Sequence, residues 1–491
     1  MSQENILLED KEFLNSFLDC ILYEQNEKEL IEQAHYFDYH PYFDSINLII
    51  RPQCNQQCSY CYITQHGNEL YPERPSRGET LNNVDLLLKY LYNKKLLFPY
   101  NFHLFAGDLF YDDIFFDLMD IFAKHFENIK KKYPELFQKN NQFVRNKNQE
   151  TIRIIIPSNL AFVYTHPEKA KRVAEYYHRF LETYNARISF SWSTDGLYAV
   201  DNREKKTLPQ DYFDKILDFC IELEIGPHPM IAPENIENWK ENYDWWLEIN
   251  EKLNIGTNHF GDFQPMMLEV RNHYWTDKQI DSYLELLDHA MEIRYERCGK
   301  DAEKLAYHLF NSYDKDLEKN PLYMNQYDFL TMRWMDEKDT FVERQGCTLF
   351  QGINLNCTNL SLVLCHRLTY KHLTAAYFVV DKEGKEIIDL VPQNPTIYTA
   401  VKSSKAMWYP KCCACPIKNL CLKGCMGANF EYSGEILLAP PQVCKLFKRK
   451  FYHLLDLYEK YGVLKIAISK GYVQNDEFIS WLLYFKDPEN R

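Results

Sequence analysis

The chain has 491 residues, of which 46% are apolar, 26% charged and 15% aromatic, with only 16 glycines. That composition excludes a disordered or collagen-like chain and gives length for a full core and up to about three domains. Lys and Arg number 56 against 70 Asp and Glu, a net charge of −14, so neither a nucleic-acid nor a membrane partner is expected.

Residues 1–44 form an N-terminal extension whose start, MSQENILLEDKEF, is charged and lacks a signal-peptide core. No apolar run reaches the ~18–20 residues of a membrane span, and a cytoplasmic location follows. From 45 to 295, short β-branched or apolar runs alternate with longer helical stretches, the pattern of a parallel α/β architecture with about six units. The predicted strands are Ile46–Ile50, Phe102–Ala106, Ile152–Ile156, Arg187–Ser193, His228–Ala232 and Phe263–Val270. The first runs directly into Cys54-Asn-Gln-Gln-Cys58-Ser-Tyr-Cys61, ahead of a helix whose Leu81, Val84, Leu88 and Leu91 share one face. The second is followed by Ala106-Gly107-Asp108-Leu109 and the third by Pro157-Ser158-Asn159; the fourth ends in Ser191-Trp192-Ser193-Thr194-Asp195-Gly196. Such residues suit any strand-to-helix turn.

Residues 296–345 are polar and read as a bridging segment. Residues 346–445 hold Cys347, Cys357, Cys365, Cys412, Cys413, Cys415, Cys421, Cys425 and Cys444. The tail, 446–491, offers an amphipathic helix (Leu446, Phe447, Phe451, Leu454, Leu455, Leu457, Tyr458), a strand at Val463–Ile468 and a last helix near Phe478–Phe485. Aromatic residues, Trp245 and Trp246 included, are expected to pack in the core.

Fifteen cysteines without an export signal point to metal or redox chemistry rather than disulfides. Cys20, Cys220 and Cys298 are isolated and read as small buried hydrophobes. By composition, C-x3-C-x2-C should arise by chance about 0.01 times in such a chain, and Cys412-x2-Cys415-x5-Cys421-x3-Cys425 about 0.0004 times. Four thiolates can hold structural zinc. Three without a close fourth ligand suit a cuboidal iron–sulfur cluster with one iron open to an exogenous ligand. His66 is the near candidate for a fourth protein ligand.

The segment RPQCNQQCSYCYITQHG resembles the cluster loop of radical S-adenosylmethionine (radical SAM) enzymes, including the aromatic Tyr60 before the third cysteine. The resemblance implies a partial (β/α)6 barrel over residues 45–295. In it, Cys54, Cys58 and Cys61 would hold a [4Fe–4S] cluster whose open iron binds S-adenosylmethionine, with Tyr60 beside the adenine. Gly107 and Asp108 stand where the family has a Gly-Gly-Glu-type turn at the methionine amino group. Ser158, Asn159, Ser193 and Asp195 resemble its ribose- and carboxylate-contacting segments.

The second cysteine group resembles the SPASM extension, an iron–sulfur domain placed at 346–445. By that resemblance Cys347, Cys365 and Cys425 serve one auxiliary [4Fe–4S] cluster, with Cys357 as candidate fourth ligand, and Cys412, Cys415, Cys421 and Cys444 serve another. That makes three clusters in all; Cys413 is a spare. The family's glycine five residues before the second cysteine is Leu360 here, so a differently built turn is expected.

The implied activity is that of a radical SAM oxidoreductase, a peptide maturase. A 5′-deoxyadenosyl radical would abstract hydrogen from a side chain of a ribosomal peptide, and a thioether or carbon–carbon crosslink would form. His366, after Cys365, is the candidate base. Partners would be the peptide or protein substrate, a reductase or flavodoxin- or ferredoxin-type electron donor, and a separate leader-binding protein, residues 1–44 being too few for a full leader-binding module. The alternatives are a formylglycine-forming anaerobic sulfatase maturase and a non-catalytic iron–sulfur or zinc scaffold.

Overall fold

The computed structural model describes residues 45–93, 101–132, 134–137, 152–198, 211–253, 275–310, 329–332, 334, 352–394, 412, 414–421, 425–436 and 438–491. The expectations for the N-terminal extension, for the strand Phe263–Val270 and for Cys20, Cys347 and Cys413 lie outside these residues.

The described strands form one mixed sheet in the order β5-β4-β3-β2-β1-β6-β7-β8-β9. They are β1 (Ser45–Ile49), β2 (Asn101–Phe105), β3 (Ile152–Ser158), β4 (Ala186–Trp192), β5 (Gly226–Pro227), β6 (Gly352–Asn356), β7 (Ser361–Val363), β8 (Ala376–Val380) and β9 (Ile387–Pro392). Pairings from β5 through β1 to β6 are parallel, and those from β6 to β9 antiparallel. The first four predicted strands are present within one or two residues. The fifth, expected at His228–Ala232, is reduced to Gly226–Pro227, and His228 N–H adds one further bond to the Trp192 carbonyl (2.7 Å).

Between the parallel strands run α1 (Tyr62–Leu70), α2 (Arg77–Asn93), α3 (Ile114–Lys132), α4 (Ala161–Thr165), α5 (Pro167–Tyr184), α6 (Tyr212–Glu222) and α7 (Trp239–Leu253). On β3 and β4 burial alternates: Ile152, Ile154 and Ile156, and Ala186, Ile188 and Phe190, turn to the helices. There they meet Phe115, Met119, Phe122 and Phe126 of α3 and Val173 and Phe180 of α5, the main core. Helix α5 starts with Pro167 in its first turn and ends at Asn185 in the left-handed region, whose N–H reaches the Leu181 and Phe180 carbonyls. The opposite sheet face is mixed, polar at Asn47, His103 and Ser189 and apolar at Ile49 and Ile155. One lateral row runs Asn354, Asn47, His103, Ile155, Ser189.

The C-terminal helices pack on one another and share the main core. Helices α8 (Asp277–Arg297) and α9 (Ala302–Phe310) are followed by α10 (Met426–Ser433), α11 (Pro441–Lys460), α12 (Val463–Ser469) and α13 (Asp476–Phe485). Helix α8 packs on α11, and α9 on α12. The strand predicted at Val463–Ile468 is thus corrected to a helix. Val463, Leu464 and Ala467 are its buried residues, a helical i, i+1, i+4 face against α9 and α11, and that packing overrides the β-branched propensity. Among the described residues, no helix is long and apolar enough to cross a membrane.

Candidate functional site

The loop leaving β1 is fixed by backbone before any side chain acts. Ile50 N–H continues the ladder to the Phe105 carbonyl (2.9 Å), and Asp108 N–H donates to the Gln53 carbonyl (2.6 Å), tying the exits of β1 and β2 together. Ala106 (φ +72°) and Gly107 (φ +66°) are both left-handed. A Cβ on Gly107 would lie 1.9 Å from the Gln53 oxygen, so only glycine permits this approach. At Ala106 the same conformation costs roughly 1–2 kcal/mol, strain of a kind found at functional sites.

Cys54, Cys58 and Cys61 follow. Gln56 N–H points at the Cys54 sulfur (3.4 Å), and Cys61 N–H closes a turn on the Cys58 carbonyl (3.1 Å). Cys58 and Tyr60 are buried in a small apolar cluster with Met230 and Ala232 from the segment after β5, and Cys61 packs on its edge. Burial first, then the Asp108 charge, push the Cys54 thiol up to about 12, and Cys58 and Cys61 add to the effect against the Gln56 N–H. Thiolates that oppose one another at one loop suit a positively charged centre, so the donor set fits an iron–sulfur cluster. Among the described residues, no three His, Cys, Asp or Glu side chains converge tightly enough to chelate a single metal ion. His66 sits half-buried on α1.

The strand exits bring the other expected residues round this loop. The buried Asp108 carboxylate accepts from Phe110 N–H (2.9 Å), Ser158 Oγ (3.0 Å) and Asn159 N–H (3.1 Å). Burial pushes its pKa up against these bonds, which favour the charged form. The Asn159 amide donates to Asn55 Oδ1 (2.7 Å) beside Cys54. Ser193 N–H bonds the Ser158 carbonyl (2.8 Å). Tyr60 Oη donates to Asp195 Oδ2 (2.5 Å), and Asn242 Nδ2 to the Asp195 carbonyl (2.6 Å). Tyr60, Gly107, Asp108, Ser158, Asn159, Ser193 and Asp195 therefore lie in one connected network around the loop.

The second cysteine group is partly described. Cys357 N–H extends the ladder to the Ile49 carbonyl (2.9 Å). Its sulfur lies fully buried in the main core, 3.9 Å from the Leu355 carbonyl, and burial alone pushes the thiol up, as at Cys220. The β6–β7 turn holds Leu360 at φ +52°, the left-handed backbone that glycine favours. Leucine adopts the conformation, and Phe378 N–H donates to its carbonyl (2.8 Å). Cys365 is buried, while Cys412, Cys415, Cys421, Cys425 and Cys444 are half-buried. Cys415 N–H bonds the Cys412 carbonyl (3.0 Å), Cys425 precedes α10 at its N-cap, and Cys444 lies in the first turn of α11.

His366 carries its ring onto Phe105 of β2 (centroids 4.4 Å, 16°), which in turn stacks on His103 (5.6 Å); Tyr62 leans on the same ring (5.5 Å). Tyr71 Oη donates to the His366 carbonyl. Sequence reasoning missed Arg367 and Glu431, a buried ion pair in which Arg367 Nη1 also points at the Cys425 sulfur (3.8 Å). A charged residue so near Cys365 was the available signal for the first; nothing in the sequence joins the two.

No family model matches the chain, and no curated protein does. Solved structures resemble it at low identity. Native anSMEcpe with bound AdoMet is 14% identical, with 87% of this chain and 99% of that chain covered and a TM-score of 0.48. The same protein with bound AdoMet and Cp18Cys peptide is 13% identical, with the same coverage and a TM-score of 0.47. Streptococcus suis SuiB bound to S-adenosylmethionine is 13% identical, with 89% of this chain and 87% of that chain covered and a TM-score of 0.44. Structural neighbours of this chain thus include two proteins solved with AdoMet bound.

Proposed function

We propose that this chain is a radical SAM maturase acting on a peptide or protein, with a partial barrel over 45–295 and a SPASM-type domain over 346–445. The observation that carries the proposal is the loop after β1. Its C-x3-C-x2-C thiols are held at the exits of parallel strands by the Gly107–Gln53 backbone approach. Cys54, Cys58 and Cys61 would hold a [4Fe–4S] cluster and, with AdoMet, that group would supply one-electron cleavage of the sulfonium to a 5′-deoxyadenosyl radical.

The chain's own residues supply position and shelter. Gly107 brings backbone against the loop. Asp108, fixed by Ser158 and Asn159, holds a buried carboxylate that would accept from the methionine ammonium. Asp195 anchors the Tyr60 ring through its hydroxyl, and Met230 and Ala232 exclude water from the Cys58 side. Cys365 and Cys425, with Cys347, would hold one auxiliary cluster, and Cys412, Cys415, Cys421 and Cys444 another. Cys357 is left out, because its side chain is fully buried and its sulfur lies against the Leu355 carbonyl of its own strand.

The reaction proposed is closure of a thioether or carbon–carbon crosslink in a ribosomal peptide. A crosslink closed from a carbon radical onto a thiol or C–H group would release one proton to solvent and one electron, for which an auxiliary centre would be the acceptor. The test is metal analysis followed by mass spectrometry of a candidate peptide. About twelve iron and twelve sulfide per chain, with a crosslinked product, support the proposal. An aldehyde product would replace it with formylglycine formation, and zinc in place of iron with a scaffold.

A further inference from the structure

We infer that Arg367 is a positioning residue that sets the reduction potential of the auxiliary centre at Cys365 and Cys425 and fastens that centre to the loop after β1. The inference rests on the reading that these cysteines hold a cluster.

The turn after β7 is sewn to α1 and the residue beyond it at His366, Arg367 and Thr369. Tyr71 Oη donates to the His366 carbonyl, the Arg367 guanidinium lies over the Tyr62 ring (5.3 Å), and Thr369 Oγ1 donates to the Leu70 carbonyl (2.5 Å). Tyr62 directly follows Cys61, and Arg367 is two residues from Cys365. One side chain therefore touches Tyr62, next to the first cysteine group, and links the segments of Cys365 and Cys425.

The guanidinium is oriented by its own fork. Nε (2.9 Å) and Nη2 both donate to the Glu431 carboxylate of α10, which leaves Nη1 directed at the Cys425 sulfur at 3.8 Å. The Arg367 and Glu431 side chains are only 4% and 1% exposed, so water screens neither charge. Room for the stem comes from Gly427, where a Cβ would stand 2.6 Å from Arg367 Cβ. The positive end of a buried ion pair thus faces sulfur, and its negative end faces away.

Reduction adds negative charge to a cluster, and hydrogen bonds and positive charge at its sulfurs raise its potential. Arg367 would make this centre the readier electron acceptor, which is what an oxidative crosslink requires of it.

The experiment is a redox titration, followed by electron paramagnetic resonance, of reconstituted protein in which Cys54, Cys58 and Cys61 are all alanine, so that the auxiliary centres are read by themselves. Arg367→Gln by itself strands a buried carboxylate and is not a clean probe. Two other changes are. Arg367→Gln with Glu431→Gln removes both charges, and Glu431→Gln removes only the neutralising one. The inference expects the double change to lower the potential of one centre by about tenfold in its reduced-to-oxidised ratio, about 59 mV for one electron, and the single change to raise it. Opposite signs cannot come from loosened packing. Potentials equal to the parent's, or moved the same way by both changes, overturn the inference. A parent that assembles no auxiliary iron–sulfur signal overturns the functional reading beneath it, and is seen before any variant is compared.

Discussion

Cys54, Cys58 and Cys61 share one loop, and the sheet itself places it: β1 delivers the chain, and β2, β3 and β4 end around it with Asp108, Asn159 and Asp195. Cys365 and Cys425 are placed differently. One follows a hairpin strand, the other caps α10, and the buried Arg367–Glu431 pair joins them. The first region is a local motif on a rigid frame; the second is an assembly of distant segments held by a charge pair. Each should therefore fail in its own way when cut.

The largest difference is expected in activity. Cys58→Ala should abolish 5′-deoxyadenosine formation, while Cys421→Ala should retain it and lose only the peptide product, because the proposed function assigns initiation to the first region alone. Chromatography of both products after anaerobic turnover reads this out. Equal loss of 5′-deoxyadenosine in the two variants would erase the distinction.

Next comes the frame. Gly107→Ala forces a Cβ against the Gln53 carbonyl in a left-handed conformation, and should cost about 3 kcal/mol with loss of iron from the first region. Denaturant melts and iron analysis check it; a variant as stable as the parent would show that the close approach is not required.

Within the second region, Cys365→Ala should remove about four irons per chain. Cys357→Ala should leave iron unchanged and cost about 1 kcal/mol, as expected for a small core cavity. Iron loss in the second variant would return Cys357 to the ligand set.

The smallest effect sits where the regions meet, in the His103–Phe105–His366 stack. Burial, then the Arg153 charge, bring the His103 imidazole down to about 4. A histidine in the unfolded chain protonates near 6.5. His103's contribution is thus fully present above about pH 6.5 and is lost as pH falls toward about 4. His103→Phe should flatten that limb of the stability curve by up to one proton of slope, measured by urea melts across the window. An unaltered slope would mean the ring is solvated.

These contrasts also mark what the sequence could disclose. Strands β1 to β4 were legible because alternation such as Ile152, Ile154, Ile156 is a local signal, and the three-cysteine loop because its spacing is compact. The parallel pairing of β6 with β1, register Ser45 to Gly352, was not legible, since nothing local encodes a partner so distant in the chain. Helix α12 was misread because the burial of Val463, Leu464 and Ala467 depends on helices that pack from elsewhere. The Arg367–Glu431 pair was invisible for the same reason.

The most direct measurement is anaerobic. The protein is reconstituted with iron and sulfide, reduced with dithionite and given S-adenosylmethionine, and 5′-deoxyadenosine is then assayed. The account predicts that it forms with the intact chain and not with Cys58→Ala. A protein shown to carry its full iron and sulfide that yields none would contradict it.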